Sequence, residues 1–242
     1  MDNIISIGKT DVGLKRSNNE DVYSVNSELG YCLVADGMGG AAAGDLASSI
    51  FKKASEKIFS DSTDRNENKT KKLVQDAFQT ANEQILQHIK ENPEHKGMGC
   101  TAELIAFSDD GVVLGHIGDS RTYRFRNGQF RQMTRDHSLV QDQIDQGKIT
   151  IEQARNHPLR NIILRAVGIQ ENLALDLVTV KPQRNDIYLL CSDGLTDMLE
   201  DQMIHEVLSS MDDLESAVDE LIRNAKAAGG ADNITVVLCK FQ

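Results

Sequence analysis

Residues 31–40, YCLVADGMGG, place a carboxylate directly after an apolar run and follow it with a backbone almost free of side chains. The run 31–35 predicts a buried strand, so Asp36 is expected at the edge of a sheet. Two interpretations are open. Asp-Gly is a strong signal for a tight turn between strands, and this is the simpler structure. The same pattern also provides half of a metal site if other parts of the chain bring carboxylates to the same place.

Composition narrows the class of protein. The chain has 242 residues, of which 40% are hydrophobic, so it can bury a sizeable core in one domain or at most two. The formal net charge of −11 argues against a nucleic-acid partner, which needs a basic face. We find no signal-peptide pattern and no apolar run near the roughly 18 residues of a membrane span. We therefore expect a cytoplasmic protein without a membrane span.

The four cysteines lack the close spacing of a zinc or redox site and are predicted to be small buried thiols.

Periodicity predicts an α+β fold. Strands are predicted from apolar or alternating runs bounded by turn residues: 3–8, 22–25, 31–35, 101–107, 112–117, 121–126, 129–132, 173–180, 187–191 and 234–239. Helices are predicted from apolar residues every three or four positions: 46–58, 73–89, 204–208 and 214–228, with a short one after Gly194. The hairpin separators within 101–132 predict an antiparallel meander. Two packed sheets flanked by helices would cover the apolar faces of both.

Acidic residues meet the ends of predicted strands at five places. Three acids follow apolar runs and two acidic groups precede them: Asp36, Asp119 and Asp193, then Glu20-Asp21 and Asp232. In antiparallel neighbours the end of one strand lies beside the start of the next, so all five groups can gather at one end of the sheets. Clustered carboxylates repel one another unless a cation neutralises them. Without Cys or His at ligand spacing, Mg²⁺ or Mn²⁺ is favoured over Zn²⁺.

Such a site suits phosphate chemistry. Two cations roughly 3.5–4 Å apart, bridged by a carboxylate and a hydroxide, favour in-line displacement at phosphorus. Gly37 would let its carbonyl oxygen approach a metal closely. Arg16, four residues before Glu20, could hold a phosphate with its bidentate guanidinium. A surface arginine in a polar loop explains the same residue equally well.

Five motifs, in this order and spacing, resemble the PPM family of metal-dependent Ser/Thr protein phosphatases (type 2C) in its compact bacterial form. They are GLKRSNNED at 13–21, ADGMGG with a glycine at 44, GDSR at 118–121, CSDGL at 191–195 and ADNIT at 231–235. The resemblance covers nearly the whole chain. It implies one domain, residues 1–242, folded as an αββα sandwich with a metal centre at one end of the sheets. It also implies a flap at about 134–168 that borders the site and influences substrate choice.

The resemblance further implies a role for each site residue. The metals would be two Mn²⁺ or Mg²⁺, bridged by Asp36, with Asp193 and Asp232 completing the first site and the Gly37 carbonyl serving the second. Glu20 and Asp21 would act largely through waters, Asp119 would hold a third, weaker metal, and Arg16 would hold the substrate phosphate. The implied reaction is hydrolysis of phosphoserine and phosphothreonine in proteins by the metal-bridging hydroxide. The implied substrates are those of a bacterial Hanks-type kinase, and we expect a monomer.

Two positions depart from the family pattern. Met38 stands where some eukaryotic members have a histidine proposed as leaving-group acid, so a metal-bound water is expected in that role. Ala41 stands where bacterial relatives often have a histidine. His116 and His137 are expected to be structural and do not replace either. Two other functions stay open: a phosphohydrolase of small phosphate esters, and a non-catalytic module that binds phosphoproteins.

Overall fold

The computed structural model describes residues 4–39, 43–211 and 213–242 of the chain. The strands in these ranges are β1 (Ile4–Asp11), β2 (Asp21–Asn26), β3 (Tyr31–Met38), β4 (Gly99–Phe107), β5 (Val112–Ile117), β6 (Arg121–Arg126), β7 (Gln129–Gln132), β8 (Asp176–Val180), β9 (Ile187–Cys191) and β10 (Ile234–Phe241). The α-helices are α1 (Gly44–Ser60), α2 (Glu67–Glu91), α3 (Leu139–Asp145), α4 (Ile151–Arg155), α5 (Asp193–Thr196), α6 (Asp201–Ser210) and α7 (Leu214–Ala227).

The strands form two five-stranded antiparallel sheets. The first has the order β1-β10-β9-β6-β7 and the second the order β2-β3-β4-β5-β8. Helices α1 and α2 pack on the second sheet, and α7 packs on the first, with α5 beside it. The predicted αββα sandwich is therefore confirmed.

Three apolar layers hold the sandwich together. Phe51 of α1 and Phe78 of α2 are fully buried against the second sheet, and Leu221 of α7 is fully buried against the first. Between the sheets, side chains such as Ile105 and Leu190 face each other and exclude water. Full burial of each such side chain stabilises the fold by about 1.5–3 kcal/mol. Apolar side chains thus cover both faces of each sheet, and polar residues are left to the ends of the sheets.

The predicted continuous meander over 101–132 is wrong. Strands β4 and β5 pair in the second sheet, whereas β6 and β7 pair in the first. Residues 118–120 therefore carry the chain from one sheet to the other, and Gly118 turns with φ +114°. Turn residues mark where a strand ends but do not determine which sheet the next strand joins, so the pattern could not reveal this crossing.

Some boundaries also differ from the predictions. The strand predicted over 3–8 continues to Asp11, because β10 supplies partners as far as Ile234. Helix α2 begins at Glu67, six residues before the predicted start, and the Asn66 side chain caps it by accepting from the Lys69 N–H. The strand expected from 173 begins only at Asp176.

The segment 134–168 contains α3 and α4 and otherwise consists of turns and isolated bridges. Cys100 and Val167 exchange backbone hydrogen bonds of 2.9 and 3.0 Å, which tie its end to β4. The buried Asn82 of α2 accepts from the Gly168 N–H at 2.7 Å and donates to the Gln170 carbonyl at 3.0 Å. The end of this segment is therefore fixed to the body of the protein.

All four cysteines are free and buried, as predicted. Within the described ranges, every helix is too short or too polar to span a bilayer.

Candidate metal centre

The sheet ends bring the predicted acids together from distant parts of the chain. Asp36 lies inside β3, which continues to Met38, and it pairs with Asp21 of β2 on one side and with Thr101 of β4 on the other. The interpretation of Asp36-Gly37 as a tight turn is therefore wrong. Asp193 stands two residues after the end of β9, and Asp232 stands two residues before the start of β10. Because β9 and β10 are antiparallel neighbours, these two acids lie at the same end of their sheet.

Burial and mutual repulsion both favour the protonated form of these acids. Burial is the largest effect on Asp36, and the charges of the other acids add to it, so its pKa is raised well above the ordinary range. Burial and the neighbouring Asp119 likewise raise the pKa of Asp193 well above its ordinary range. These charge effects link Asp21, Asp36, Asp119, Asp193 and Asp232 in one cluster. Within the protein alone, the cluster favours protonated carboxyl groups.

Unpartnered oxygen atoms show what the cluster is suited to bind. Buried Oδ1 atoms of Asp21, Asp119 and Asp193 have no hydrogen-bond partner among the described residues. Such atoms are costly in a folded protein unless something else satisfies them. Hard divalent cations prefer oxygen ligands of this kind, so the residues present fit Mg²⁺ or Mn²⁺. In the described ranges, no group of three His, Cys, Asp or Glu side chains is already arranged to coordinate a metal ion.

The pKa shifts predict how the stability of the metal-free protein depends on pH. The pKa of Asp21 is raised to about 6, with burial as the main cause, and that of Asp119 to about 7, against about 3.9 in an unfolded chain. Their protonation stabilises the fold, a contribution complete below the unfolded pKa and lost as pH rises through the folded pKa. We expect the melting temperature in EDTA to fall by several degrees from pH 6 to pH 8.

Differential scanning calorimetry in EDTA measures this dependence. Asp36→Asn is the control, because it removes a carboxyl group that takes up a proton on folding and should therefore flatten the slope. Saturating Mn²⁺ should also flatten it, since the bound cation replaces the protons. A melting temperature that rises between pH 6 and pH 8 in EDTA would contradict the inferred repulsion among the acids.

Glu20 and Gly37 are fixed to each other through the backbone. The Glu20 carbonyl accepts from the Gly37 N–H at 3.1 Å and from the Ser48 hydroxyl at 2.6 Å. A Cβ on Gly37 would overlap the Gly44 carbonyl and lie 2.8 Å from the Glu20 carbonyl oxygen. The Glu20 carboxylate lies against Gly44 at the start of α1, where the helix dipole favours a negative charge. Both residues are thus next to the acids, as the sequence predicted.

Asp21 is held by hydroxyl groups from the opposite sheet. Its Oδ2 accepts from the Ser192 hydroxyl at 2.7 Å and from the Thr235 hydroxyl at 2.6 Å. Ser192 in turn accepts from the Thr235 N–H at 3.0 Å. Ser192 and Thr235 were not among the predicted site residues, although they lie within the CSDGL and ADNIT motifs. They connect β2 with β9 and β10, and so hold the two halves of the acid cluster at a fixed separation.

Asn233 is another residue that the sequence analysis missed. It lies next to Asp232 and is buried, and its Oδ1 accepts from the Glu20 N–H at 2.8 Å. Its Nδ2 donates to the carbonyls of Val12 and Asn18 at 3.0 and 2.9 Å. One amide thus links the loop that contains Arg16 and Glu20 to the segment before β10 that contains Asp232. An asparagine directly after a site acid was the available signal.

Replacing Asn233 by alanine should loosen this loop. We expect the free energy of unfolding to fall by about 2–4 kcal/mol, because three backbone groups lose their partner and each unsatisfied group costs about 1–3 kcal/mol before water relieves part of it. Chemical denaturation measures the change. Asn18→Ala is the matched control, because the Asn18 side chain is exposed and makes no hydrogen bond within the described residues. Equal stability of the two variants would contradict this account.

Arg16 reaches the acids across the same loop. Its Nη2 donates to Asp232 Oδ2 at 2.6 Å, and its side chain is 52% exposed. Burial lowers its pKa, but the charges of Asp232, Glu20 and Asp36 outweigh this effect and raise the pKa. The predicted phosphate-binding arginine is therefore at the site, where it forms an ion pair with a predicted metal ligand.

A cavity of about 530 Å³ opens beside Asp119 and Asp193. Residues of α3 and α4 line it, and so do Arg160 and Asp197, which form an ion pair of 3.7 Å. The segment predicted as a flap therefore borders the acid cluster. Met38 is half-buried at the end of β3, whereas Ala41 lies outside the described residues.

Comparisons with known proteins agree with this geometry. A family model described as protein phosphatase 2C matches residues 15–239. The serine/threonine phosphatase stp of Listeria innocua is 37% identical over 234 residues, which are 95% of this chain and 93% of that protein. The crystal structure of the Mycobacterium tuberculosis serine/threonine phosphatase PstP/Ppp superposes with a TM-score of 0.92 at 35% identity and covers 99% of both chains.

A structure of the PstP catalytic domain in complex with two manganese ions superposes with a TM-score of 0.89 at 34% identity, and covers 98% of this chain and 97% of that one. The family match spans most of the chain and includes every acid of the cluster. The chain therefore belongs to the protein phosphatase 2C family.

Proposed function

We propose that this chain is a metal-dependent phosphatase that hydrolyses phosphoserine and phosphothreonine in proteins. The observation that carries the proposal is the convergence of buried and half-buried carboxylates from both sheets, with three unpartnered oxygen atoms, beside the guanidinium of Arg16. The names of the relatives support the substrate class. The neighbouring structure with two manganese ions supports a site for two cations.

Each site residue has a proposed role. The charges of acids from both sheets act on Asp36, which would contact both cations, with Asp193, Asp232 and the Gly37 carbonyl as further ligands. Glu20 and Asp21 would act through water, and Asp119 would hold a third, weaker cation. When bound, the two Mg²⁺ or Mn²⁺ ions would lower the pKa of a water and neutralise phosphate oxygens during displacement at phosphorus.

The protein itself orients the substrate and controls its surroundings. Arg16 would turn from Asp232 to the phosphate, whose oxygens match the two-pronged guanidinium. The thioether of Met38 has no proton to give, so the leaving serine or threonine oxygen would take its proton from water. The cavity below α3 and α4 would receive residues that flank the phosphorylated side chain.

The cellular setting is part of the proposal. We propose a cytoplasmic monomer of one domain, residues 1–242, with a flap at about 134–168. Its substrates would be proteins phosphorylated by a Hanks-type kinase. The net charge of −11 fits a protein partner better than a nucleic acid.

Arg16 variants test the phosphatase assignment. With Mn²⁺ present, we expect turnover of a phosphothreonine peptide, and we expect Arg16→Ala to lower kcat/KM by about 10–100-fold, because a bidentate charge-assisted contact worth about 1.5–3 kcal/mol is lost. Lys15→Ala removes a neighbouring charge from the same loop and is the control. Steady-state kinetics with the peptide and with p-nitrophenyl phosphate measure both effects.

Three results would contradict the proposal in different ways. Turnover of p-nitrophenyl phosphate without turnover of the peptide would favour a phosphohydrolase of small esters. No release of phosphate from either compound would favour a non-catalytic binding module. Equal losses of kcat/KM in Arg16→Ala and Lys15→Ala would show that Arg16 does not bind the substrate phosphate.

A further inference from the structure

His137 holds Gly118 from two sides. The backbone N–H of His137 donates to the Gly118 carbonyl at 2.7 Å. The Gly118 N–H donates to the ring Nδ1 of His137 at 3.1 Å. Gly118 is the residue directly before Asp119, so this pair of hydrogen bonds fixes the peptide from which the Asp119 side chain projects.

The ring of His137 is in the protonation state that allows Nδ1 to accept the hydrogen bond from Gly118. To accept from Gly118, Nδ1 must carry no proton. Burial and the charge of His116 lower the pKa of His137 to about 4, against the opposing charge of Asp176. Its proton therefore sits on Nε2, which lies 3.3 Å from Asp176 Oδ2. Arg165 Nη1 lies 3.2 Å from the same nitrogen, but with the proton on Nε2 it donates to Asp176 Oδ1 at 3.4 Å and not to the ring.

His116 forms the support behind this ring. The two imidazoles lie with their centroids 4.5 Å apart. His116 is hydrogen-bonded to the buried Glu103 through Nδ1 and to the Arg135 carbonyl at 2.8 Å through Nε2. Burial lowers the pKa of His116, but Glu103 and these hydrogen bonds outweigh it and raise the pKa to about 9. A doubly protonated His116 donates from both nitrogens and so fixes residue 135, two positions before His137.

The opposite side of Gly118 is closed by the strand next to Asp36. A Cβ on Gly118 would lie 2.6 Å from Thr101 Cγ2, and Thr101 is the β4 partner of Asp36. Gly118 also has φ +114°, a backbone angle that residues other than glycine rarely adopt. The peptide is thus confined between Thr101 and His137, and it can shift only if one of them moves.

The same residue is also attached to the returning part of the flap. The His137 carbonyl accepts from the Leu164 N–H at 2.7 Å, and the Leu139 N–H donates to the Ile162 carbonyl at 2.9 Å. The first and last parts of segment 134–168 therefore meet at His137. Its main chain and its ring make contacts on both sides, towards the flap and towards the peptide before Asp119.

We infer that His137 is a positioning residue: it clasps Gly118 and thereby couples the arrangement of the flap to the position of the Asp119 carboxylate. The role given to Asp119 rests on the function proposed above, whereas the clasp itself does not. Neither His116 nor His137 need touch the substrate.

Two substitutions of His137 distinguish the effect of its hydrogen bond to Gly118 from the effect of its packing. The side-chain oxygen of asparagine can take the place of Nδ1, so His137→Asn should keep the Gly118 N–H bonded. The amide of glutamine reaches the Nε2 position instead, so His137→Gln should lose this bond. In the metal-free protein we expect amide exchange at Gly118 to be about tenfold faster in His137→Gln and within about threefold of the original in His137→Asn.

The second measurement follows the coupling to Asp119. We expect His137→Gln to raise, by roughly tenfold, the Mn²⁺ concentration that the weakest site needs in calorimetric titration, with little change at the tighter sites. His137→Asn should stay near the original protein. Asp176→Asn is the control, because it removes the charge at Nε2 and leaves the Gly118 contact in place.

The outcomes distinguish failure of the clasp from failure of the function. Unchanged exchange at Gly118 in His137→Gln, or equally fast exchange in both His137 variants, would overturn the clasp. Faster exchange in His137→Gln without any change in the Mn²⁺ titration would overturn the coupling to Asp119. If the original protein lacked phosphatase activity, the exchange experiment in metal-free protein would still decide whether the clasp exists.

Discussion

Asp36→Asn should abolish phosphatase activity and at the same time make the metal-free protein harder to unfold. Asp36 is the acid on which the charges of Asp21, Asp193, Asp119 and Asp232 all act. Burial and that repulsion oppose the charged form of Asp36, so folding without a metal requires its carboxyl group to take up a proton. Asparagine is neutral in the folded and the unfolded chain and avoids this cost, so the free energy of unfolding should rise. The loss of activity should exceed the roughly 100-fold cost of losing a residue that only supports a metal ligand.

Denaturation in EDTA and turnover of a phosphothreonine peptide with Mn²⁺ measure the two effects. Asp45→Asn is the matched control, because Asp45 is an exposed acid at the start of α1, close to Glu20 but outside the predicted ligand set. It should change neither quantity appreciably. If Asp36→Asn kept substantial turnover, or destabilised the metal-free protein, Asp36 would not be the shared ligand of a cation site.

Gly37→Ala should have the second largest effect, by displacing the predicted carbonyl ligand. The added methyl group would overlap the Gly44 carbonyl and crowd the Glu20 carbonyl at 2.8 Å. Both neighbours are backbone atoms, so α1 or the Glu20 loop must move to make room. We expect about 1–3 kcal/mol of destabilisation, or more, and a loss of activity of roughly 100-fold, because a small displacement of a reacting group can cost that much.

Gly115→Ala provides a control with similar crowding away from the site. A Cβ there would lie 2.6 Å from Val74 Cγ1 and 2.7 Å from Phe78 Cε2, between the second sheet and α2. This variant should lose comparable stability and keep its activity per folded molecule. Mn²⁺ titration of both variants separates the two causes. If Gly37→Ala bound and used Mn²⁺ as Gly115→Ala does, the carbonyl of Gly37 would not be a ligand.

The sandwich could be predicted from sequence because its signals are local. Apolar stripes identified the helices, and turn residues marked the ends of the strands. Two sheets packed between helices was the arrangement that covered the apolar faces of both. The change of sheet between β5 and β6 could not be predicted in this way. It depends on Thr101 packing over Gly118 and on partners that β9 offers to β6, and these contacts are between residues far apart in sequence.

The acids of the candidate site were predicted for a similar reason. An acid directly beside an apolar strand is visible in one sequence, and antiparallel pairing places such acids at one end. That Asp36 lies within β3 was missed, because an Asp-Gly pair resembles a turn until Thr101 is known to pair with it. Ser192, Thr235 and Asn233 were missed because their roles depend on hydrogen bonds to Asp21 and to the backbone around Glu20.

The histidines show the same limit. Structural roles were predicted for His116 and His137, but their hydrogen-bond partners were not. Glu103, the partner of His116, lies on the neighbouring strand β4, and nothing in the local sequence marks it as a buried acid. Only the fold places it between the sheets, where the pair supports the ring of His137.

The most direct test of the dinuclear metal centre is hydrolysis of a phosphothreonine peptide by protein stripped with EDTA and then titrated with Mn²⁺, with bound metal counted in parallel by calorimetry. We expect no turnover in EDTA, full recovery as two Mn²⁺ bind per chain, and no recovery in Asp36→Asn. Turnover that persisted in EDTA, or that was complete with one bound Mn²⁺, would contradict a centre in which Asp36 joins two cations.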